Sequence, residues 1–293
     1  MSAPAHRLHQ PVLDWYAEHA RDLPWRNPDC SAWGVLVSEV MLQQTPVARV
    51  LPVWADWMQR WATPDDLAGA PVGAAVRAWG RLGYPRRALR LHAAATVITS
   101  EHAGAVPCSV SALRELPGVG DYTAAAVAAF AFGERTAVVD TNVRRVLARA
   151  LGGEALPAPS LRRGEVELAA RSLPVGEQDA ARWNVAVMEL GALVCGARSP
   201  SCGHCPIAAQ CAWRLAGHPA YQGAPHRTQA WAGSDRQCRG RLLQCLRDSP
   251  DPRCAQELSL AWPDDRQRAR CLDGLVADGL VQPLARGRYR LPE

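Results

Sequence analysis

Apolar residues recur at intervals of three and four over residues 31–45, 46–60, 85–102, 121–132 and 177–194, which predicts a helix in each stretch. Start signals precede other runs: Thr63-Pro64-Asp65-Asp66 places a capping hydroxyl ahead of proline and two acids, and Ser109 stands before Val110. Strand-like alternation is scarce until the end of the chain. Gly217–Ser234, rich in glycine, proline and histidine, breaks the helical pattern and reads as a linker. Beyond it three helices are expected, around Leu242, Leu243 and Leu246, over Ala255–Ala261 and over Asp264–Asp278, then a ribbon Leu280–Leu291 turning near Gly287. Three helices and a two-stranded wing describe a winged-helix module. The sequence holds no internal repeat or low-complexity tract.

The 293 residues are 48% apolar and 21% charged, enough to bury one or two cores and too apolar for disorder. The longest near-apolar run, Tyr122–Gly133, is well short of the ~20 residues that cross a bilayer. The first 30 residues carry His6, Arg7, Asp14, Glu18 and Asp22 and no signal-peptide block, so a soluble cytoplasmic protein is expected.

All 33 basic side chains are arginines; without lysine, no lysine nucleophile or Schiff base can form. Residues 1–211 hold 20 Arg and 19 acids and residues 212–293 hold 13 Arg and 9 acids, so most of the net charge of +5 lies in the last part. Between Leu67 and Ser100 stand Arg77, Arg81, Arg86, Arg87 and Arg90 with no acid, a pattern that fits a phosphate backbone or, more plainly, a solvated helix face.

Six of the ten cysteines (Cys30, Cys108, Cys238, Cys245, Cys254, Cys271) lack ligand spacing and read as small buried apolar residues. Cys195, Cys202, Cys205 and Cys211 form C-x6-C-x2-C-x5-C within 17 residues, a spacing that points to a metal. Zinc and a 4Fe-4S cluster both accept four thiolates, and spacing does not choose between them. The sharpest local feature is Leu113–Val127. Its turn, Leu116-Pro117-Gly118-Val119-Gly120, is expected to use glycine for positive φ and to leave backbone N–H groups bare at a helix start, where a phosphate binds.

An LPGVG hairpin, an aspartate about 20 residues later in Val138-Val139-Asp140-Thr141-Asn142, and then the four cysteines: this order resembles the endonuclease III (helix-hairpin-helix) superfamily of DNA glycosylases. Ser38-Glu39-Val40-Met41-Leu42-Gln43-Gln44-Thr45 and Leu82-Gly83-Tyr84 resemble its adenine DNA glycosylase (MutY) family in particular, and the likeness covers residues 8 to about 215. The resemblance implies an all-α, two-lobed fold with a 4Fe-4S cluster loop, to which the winged-helix-like module is added. The expected domains are 28–136 with the hairpin, 1–27 with 137–216 around the cluster, a linker 217–234 and the module 235–293.

Glu39 is the only charged residue between Ser31 and Ala48, set among Leu36, Val37, Val40, Met41 and Leu42, so a desolvated carboxyl with a raised pKa is expected, able to donate a proton near neutral pH. Asp140 follows Ala137-Val138-Val139 and opens a basic helix; a plain N-cap explains it too, and both roles can hold. Excising a purine leaves an oxocarbenium-like sugar, which calls for one acid and one carboxylate. The resemblance assigns the acid to Glu39 and the carboxylate to Asp140, with Tyr122 and Asn142 beside them. It offers Gln44 and Tyr84 as wedges where the flipped base leaves the stack, and Gly118, Gly120, Arg86 and Arg198 as DNA contacts. Endonuclease III-type lyases carry a lysine where this chain has Tyr122, so a monofunctional, monomeric glycosylase acting on mismatched double-stranded DNA is expected, removing adenine opposite 8-oxoguanine or guanine. The alternatives are a thymine or uracil mismatch glycosylase and a non-enzymatic iron-sulfur regulator. Many adenine glycosylases end in a Nudix-like domain that reads 8-oxoguanine. Here 82 residues follow Cys211 without a Nudix-type motif, so the resemblance does not carry over to that preference.

Overall fold

The computed structural model describes residues 5–223 and 231–293; part of the expected linker, 224–230, lies outside the described residues. Each of the five periodic stretches is a helix: α2 (Ala32–Leu42), α3 (Val47–Arg60), α6 (Arg86–Glu101), α8 (Asp121–Phe132) and α11 (Glu177–Leu193). Around them stand α1 (His6–His19), α4 (Pro64–Ala68), α5 (Val72–Ala78), α7 (Val110–Glu115), α9 (Thr141–Leu147), α10 (Arg163–Arg171) and α12 (Ala212–Leu215). The start signals act as read: the Thr63 side chain accepts from the Asp66 N–H while Asp66 returns a bond to Thr63, and Ser109 Oγ accepts from the Ala112 N–H at 3.2 Å. No helix among the described residues is long and apolar enough to cross a membrane.

The last third follows the expected order, α13 (Asp235–Arg247), α14 (Ala255–Ala261) and α15 (Asp265–Ala277), then β2 (Gln282–Leu284) and β3 (Arg288–Arg290). An unexpected strand, β1 (Arg253–Cys254), pairs antiparallel with β3 and completes a sheet of order β1-β3-β2. Two residues are too few to show alternation. The scattered cysteines divide: Cys238 and Cys271 are buried as expected, whereas Cys108 is exposed.

By contacts the chain forms two compact units. The first is Met1–Val35, Cys108–Arg114 and Gly120–Pro225. Its core joins Leu8, Val12 and Trp15 of α1 to Val143, Val146 and Leu147 of α9 and Trp183, Val187 and Leu190 of α11. Each such side chain contributes about 1.5–3 kcal/mol by leaving water. In the same unit Glu189, wholly buried on α11, accepts from Arg21 Nε and Nη2 at 2.7 Å and from Arg26 Nη2 at 2.8 Å. Burial alone would raise this carboxyl, but the two guanidiniums hold it down at about 2.

The second unit is Leu36–Pro107, Glu115–Val119 and His226–Glu293, and it contains the terminal module. Arg247 Nε donates to the Val76 carbonyl at 3.0 Å, and Arg77 donates in return to the Arg247 carbonyl, which ties α13 to α5. A Cβ on Gly73 would stand 2.2 Å from the Pro292 carbonyl oxygen, so only glycine admits the C-terminal residues against α5.

Candidate active site

In the first unit Asp140 is the N-cap of α9: its Oδ1 accepts from the Val143 N–H at 2.6 Å. Its second oxygen accepts from Asn142 Nδ2 at 2.7 Å. Burial pushes the carboxyl above its ordinary value, against those two hydrogen bonds, a further one from the Asn142 backbone and the Arg145 charge, which favour the ionised form. The cap is therefore real, and it leaves a half-buried carboxylate with a defined orientation. Asn142 Oδ1 in turn accepts from Arg145 Nη2 at 2.7 Å, and Arg145 Nε donates to the Cys195 carbonyl at 2.7 Å. A continuous hydrogen-bonded path thus runs from Asp140 to the first cysteine. Gly191 makes room for it, since a Cβ there would lie 2.7 Å from Asn142 Cβ. Ahead of Asp140, Asn184 pins the extended segment, accepting from the Val138 N–H at 3.1 Å and donating to the Thr136 carbonyl at 2.9 Å. Tyr122 is half-buried and packs on Ala125, Ala126, Ala129 and Val138.

The four cysteines are free thiols, partly buried; Cys195 and Cys205 pack on the core of the unit. Burial pushes the Cys205 thiol up to about 11, with charges on Cys195, Cys211 and Cys202 acting the same way, so all four lie within electrostatic reach of one another. Among the described residues no three His, Cys, Asp or Glu side chains are arranged to hold a single metal ion. Arg149, 3% exposed, closes the loop. Its Nη1 donates to Cys195 Sγ at 3.2 Å and to the Gly196 carbonyl at 2.8 Å, and its guanidinium lies 4.6 Å from the Trp213 ring centroid. N–H donors aimed at a cysteine sulfur stabilise a thiolate, so this donor set fits a four-cysteine metal group. Arg198 is exposed between Cys195 and Cys202.

In the second unit Glu39, on α2, is 5% exposed, between Ser38 at 0% and Val40 at 5%. The turn after α2 and the loop before α6 carry Gln44 and Tyr84, both non-glycine residues at positive φ (54° and 44°). Arg87 holds both. Its Nη1 donates to the carbonyls of Val40 (2.8 Å), Met41 (3.0 Å) and Gln43 (2.7 Å), and its Nη2 to Thr45 Oγ1 (2.9 Å), Leu82 (3.4 Å) and Gly83 (3.0 Å). Burial lowers its pKa to about 10. The basic stretch was expected on a solvated or phosphate-facing surface; Arg87 instead is 7% exposed, because it falls in phase with Leu91, Ala94, Ala95 and Ile98 on the buried face of α6. Arg86 is exposed and pairs with Asp278 at 3.4 Å.

The hairpin glycines differ. Gly118 has φ +81°, and a Cβ there would meet Arg90 Cβ at 2.6 Å. Gly120 has φ −98°, open to any residue, and serves as the N-cap of α8, with no side chain capping that end. Positive φ is thus needed once in the turn. The sequence reading missed the roles of Arg87, Arg145, Arg149 and Asn184, each of which bonds a partner 46–50 residues away along the chain.

Residues 37–170 match the HhH-GPD superfamily of base excision DNA repair proteins. The adenine DNA glycosylase of Mycobacterium tuberculosis (strain H37Rv) is 52% identical over 294 residues, covering 100% of this chain and 96% of that protein. The chain belongs to the adenine DNA glycosylase family. The human adenine DNA glycosylase is 42% identical over 208 residues, 68% of this chain and 38% of that protein. A solved thermostable thymine-DNA glycosylase has the same fold with a TM-score of 0.65 at 27% identity, covering 73% of this chain and 97% of that one. The alignment with the Mycobacterium tuberculosis protein takes in the terminal module as well as the hairpin and the cysteine loop.

Proposed function

We propose that the chain is a monofunctional DNA glycosylase that hydrolyses the N-glycosidic bond of adenine mispaired with 8-oxoguanine or guanine in double-stranded DNA. The observation that carries the reading is the 5% exposure of Glu39 on an otherwise apolar helix: a carboxyl kept from water is suited to hold and deliver a proton. Glu39 protonates a ring nitrogen of the departing adenine. Asp140, oriented by Val143 and Asn142, stabilises the oxocarbenium-like sugar until water completes the hydrolysis. Tyr122 takes part in catalysis, Gln44 and Tyr84 fill the place of the flipped base, and Gly118, Gly120, Arg86 and Arg198 contact the backbone. The absence of lysine from the sequence excludes a lysine-based lyase step.

Cys195, Cys202, Cys205 and Cys211 would hold a 4Fe-4S cluster. When bound, the cluster cross-links the loop that presents Arg198 and fixes the Cys195 carbonyl on which Arg145 rests. The deciding experiment is single-turnover release of adenine opposite 8-oxoguanine, guanine, cytosine and thymine by the full chain. Adenine release favouring 8-oxoguanine or guanine supports the assignment. Thymine release, or mismatch binding without release of any base, replaces it with the mismatch glycosylase or the regulator.

A further inference from the structure

The second unit contains a cleft of about 1120 Å³. Its walls are the Gln43–Gln44 turn, the loop from Gly80 into α6, and one face of α13. Nine of its lining residues are arginines and none is an aspartate or glutamate. Four of the nine are engaged within the protein: Arg87 in its six-bond clamp, Arg247 on the Val76 carbonyl, and Arg86 and Arg239 on Asp278. The other five, Arg49, Arg81, Arg90, Arg236 and Arg241, are not in an ion pair among the described residues. Arg49 donates to the Arg81 carbonyl, which fixes the rim.

Like charges gathered without a carboxylate repel one another and are relieved by an anion. Small-molecule pockets are usually smaller. Two exposed rings line it: Trp231, 56% exposed, and Tyr84, 46% exposed on a backbone held at positive φ, with the Arg236 guanidinium of α13 at 5.5 Å from its centroid. Guanidiniums for phosphates beside an accessible aromatic face for bases are what a nucleic-acid strand uses. An acidic peptide would satisfy the charges and leave the two exposed rings, Tyr84 on its strained backbone among them, without a purpose.

We propose that this cleft seats the sugar-phosphate backbone of a strand of the DNA duplex, and that α13 of the terminal module forms one of its walls through Arg236 and Arg241. The module is then part of the substrate surface. This rests on the glycosylase reading above and deepens it, by assigning phosphate contacts to residues outside the 37–170 match.

The test uses the full chain with Arg236→Ala and Arg241→Ala combined, and fluorescence anisotropy on a matched duplex and on one with adenine opposite guanine, between about 50 and 200 mM salt. The expected result is weaker binding to both duplexes and a salt slope shallower by about 1.8, that is 0.9 for each lost phosphate contact. Lysine at both positions, which keeps the charge, restores the slope. Unchanged affinity and slope would overturn the proposal. So would an effect confined to the mismatched duplex, which would mark base reading instead of a backbone seat. Adenine release by the unaltered chain is measured separately. Charge-dependent binding without release removes the catalytic reading and leaves the seat standing, whereas release with a slope indifferent to both arginines does the reverse.

Discussion

Arg87→Lys distinguishes a buried clamp from a surface contact, because it keeps the charge and changes only the geometry. Arg87 reaches six acceptors, three from each Nη; a single ammonium nitrogen can stand in for only one Nη, so the three acceptors of the other lose their partner. At roughly 1–1.5 kcal/mol net for each bond, the loss comes to about 3–5 kcal/mol. The bonds span the two loops that hold Gln44 and Tyr84 at positive φ, conformations that cost of order 1–3 kcal/mol each and persist only while their surroundings enforce them. The variant is therefore expected to melt lower, by roughly 6–12 °C for 3 kcal/mol at 2–4 °C per kcal/mol. Its affinity for a mismatched duplex should fall equally at every salt concentration. Thermal melting and salt-dependent anisotropy on the same samples measure both. An unchanged melting temperature with a salt slope shallower by about 0.9 would refute the clamp and return Arg87 to the phosphate-contacting face.

The neighbours Arg86 and Arg87 show what was legible in the sequence. The five long helices follow from their apolar spacing, and the caps at Thr63, Ser109 and Asp140 follow from their residue types. The phase of Arg87 with Leu91, Ala94 and Ile98 was also present in the sequence, but an arginine on an apolar stripe reads as solvated unless its acceptors are known, and these lie up to 47 residues away. Glu189 poses the same problem, with partners at Arg21 and Arg26 more than 160 residues distant. The isolation of Glu39 was visible because every residue around it on α2 is apolar or small, so local composition alone decided its burial. Gly118 and Gly120 look alike in LPGVG. Only the approach of Arg90 to Gly118 separates them, and that contact is tertiary.

Glu39→Gln should retain mismatch binding and lose roughly 10²–10⁴-fold in single-turnover adenine release, the range of general-acid catalysis; release within tenfold of the unaltered chain would exclude Glu39 as the proton donor. Protein purified without oxygen should carry about four iron atoms and no stoichiometric zinc, and Cys202→Ser should lower the iron content together with DNA affinity. Glu189, held at about 2 against an ordinary 4.5, contributes stability that is complete above the ordinary carboxylate range and is lost as pH falls toward 2; Glu189→Gln should flatten that acid limb in melting curves while lowering stability at neutral pH. The last prediction concerns Asn142→Ala. Burial raises the Asp140 carboxyl, and the Asn142 side-chain amide is one of three hydrogen bonds that oppose the rise, beside those from the Val143 and Asn142 backbone, so removing it moves the pKa further upward. Asp140 must be ionised to stabilise a cation, and the rate therefore falls as pH drops through that pKa. The acid limb of the single-turnover profile should thus shift to higher pH in the variant, with a plateau that is still reached in alkaline buffer. A pure cap would behave otherwise: the Val143 bond would survive, and any loss would be the same at every pH. A parallel profile, lowered but not shifted, would leave Asp140 as the N-cap of α9 and return the search for the stabilising carboxylate to the rest of the chain.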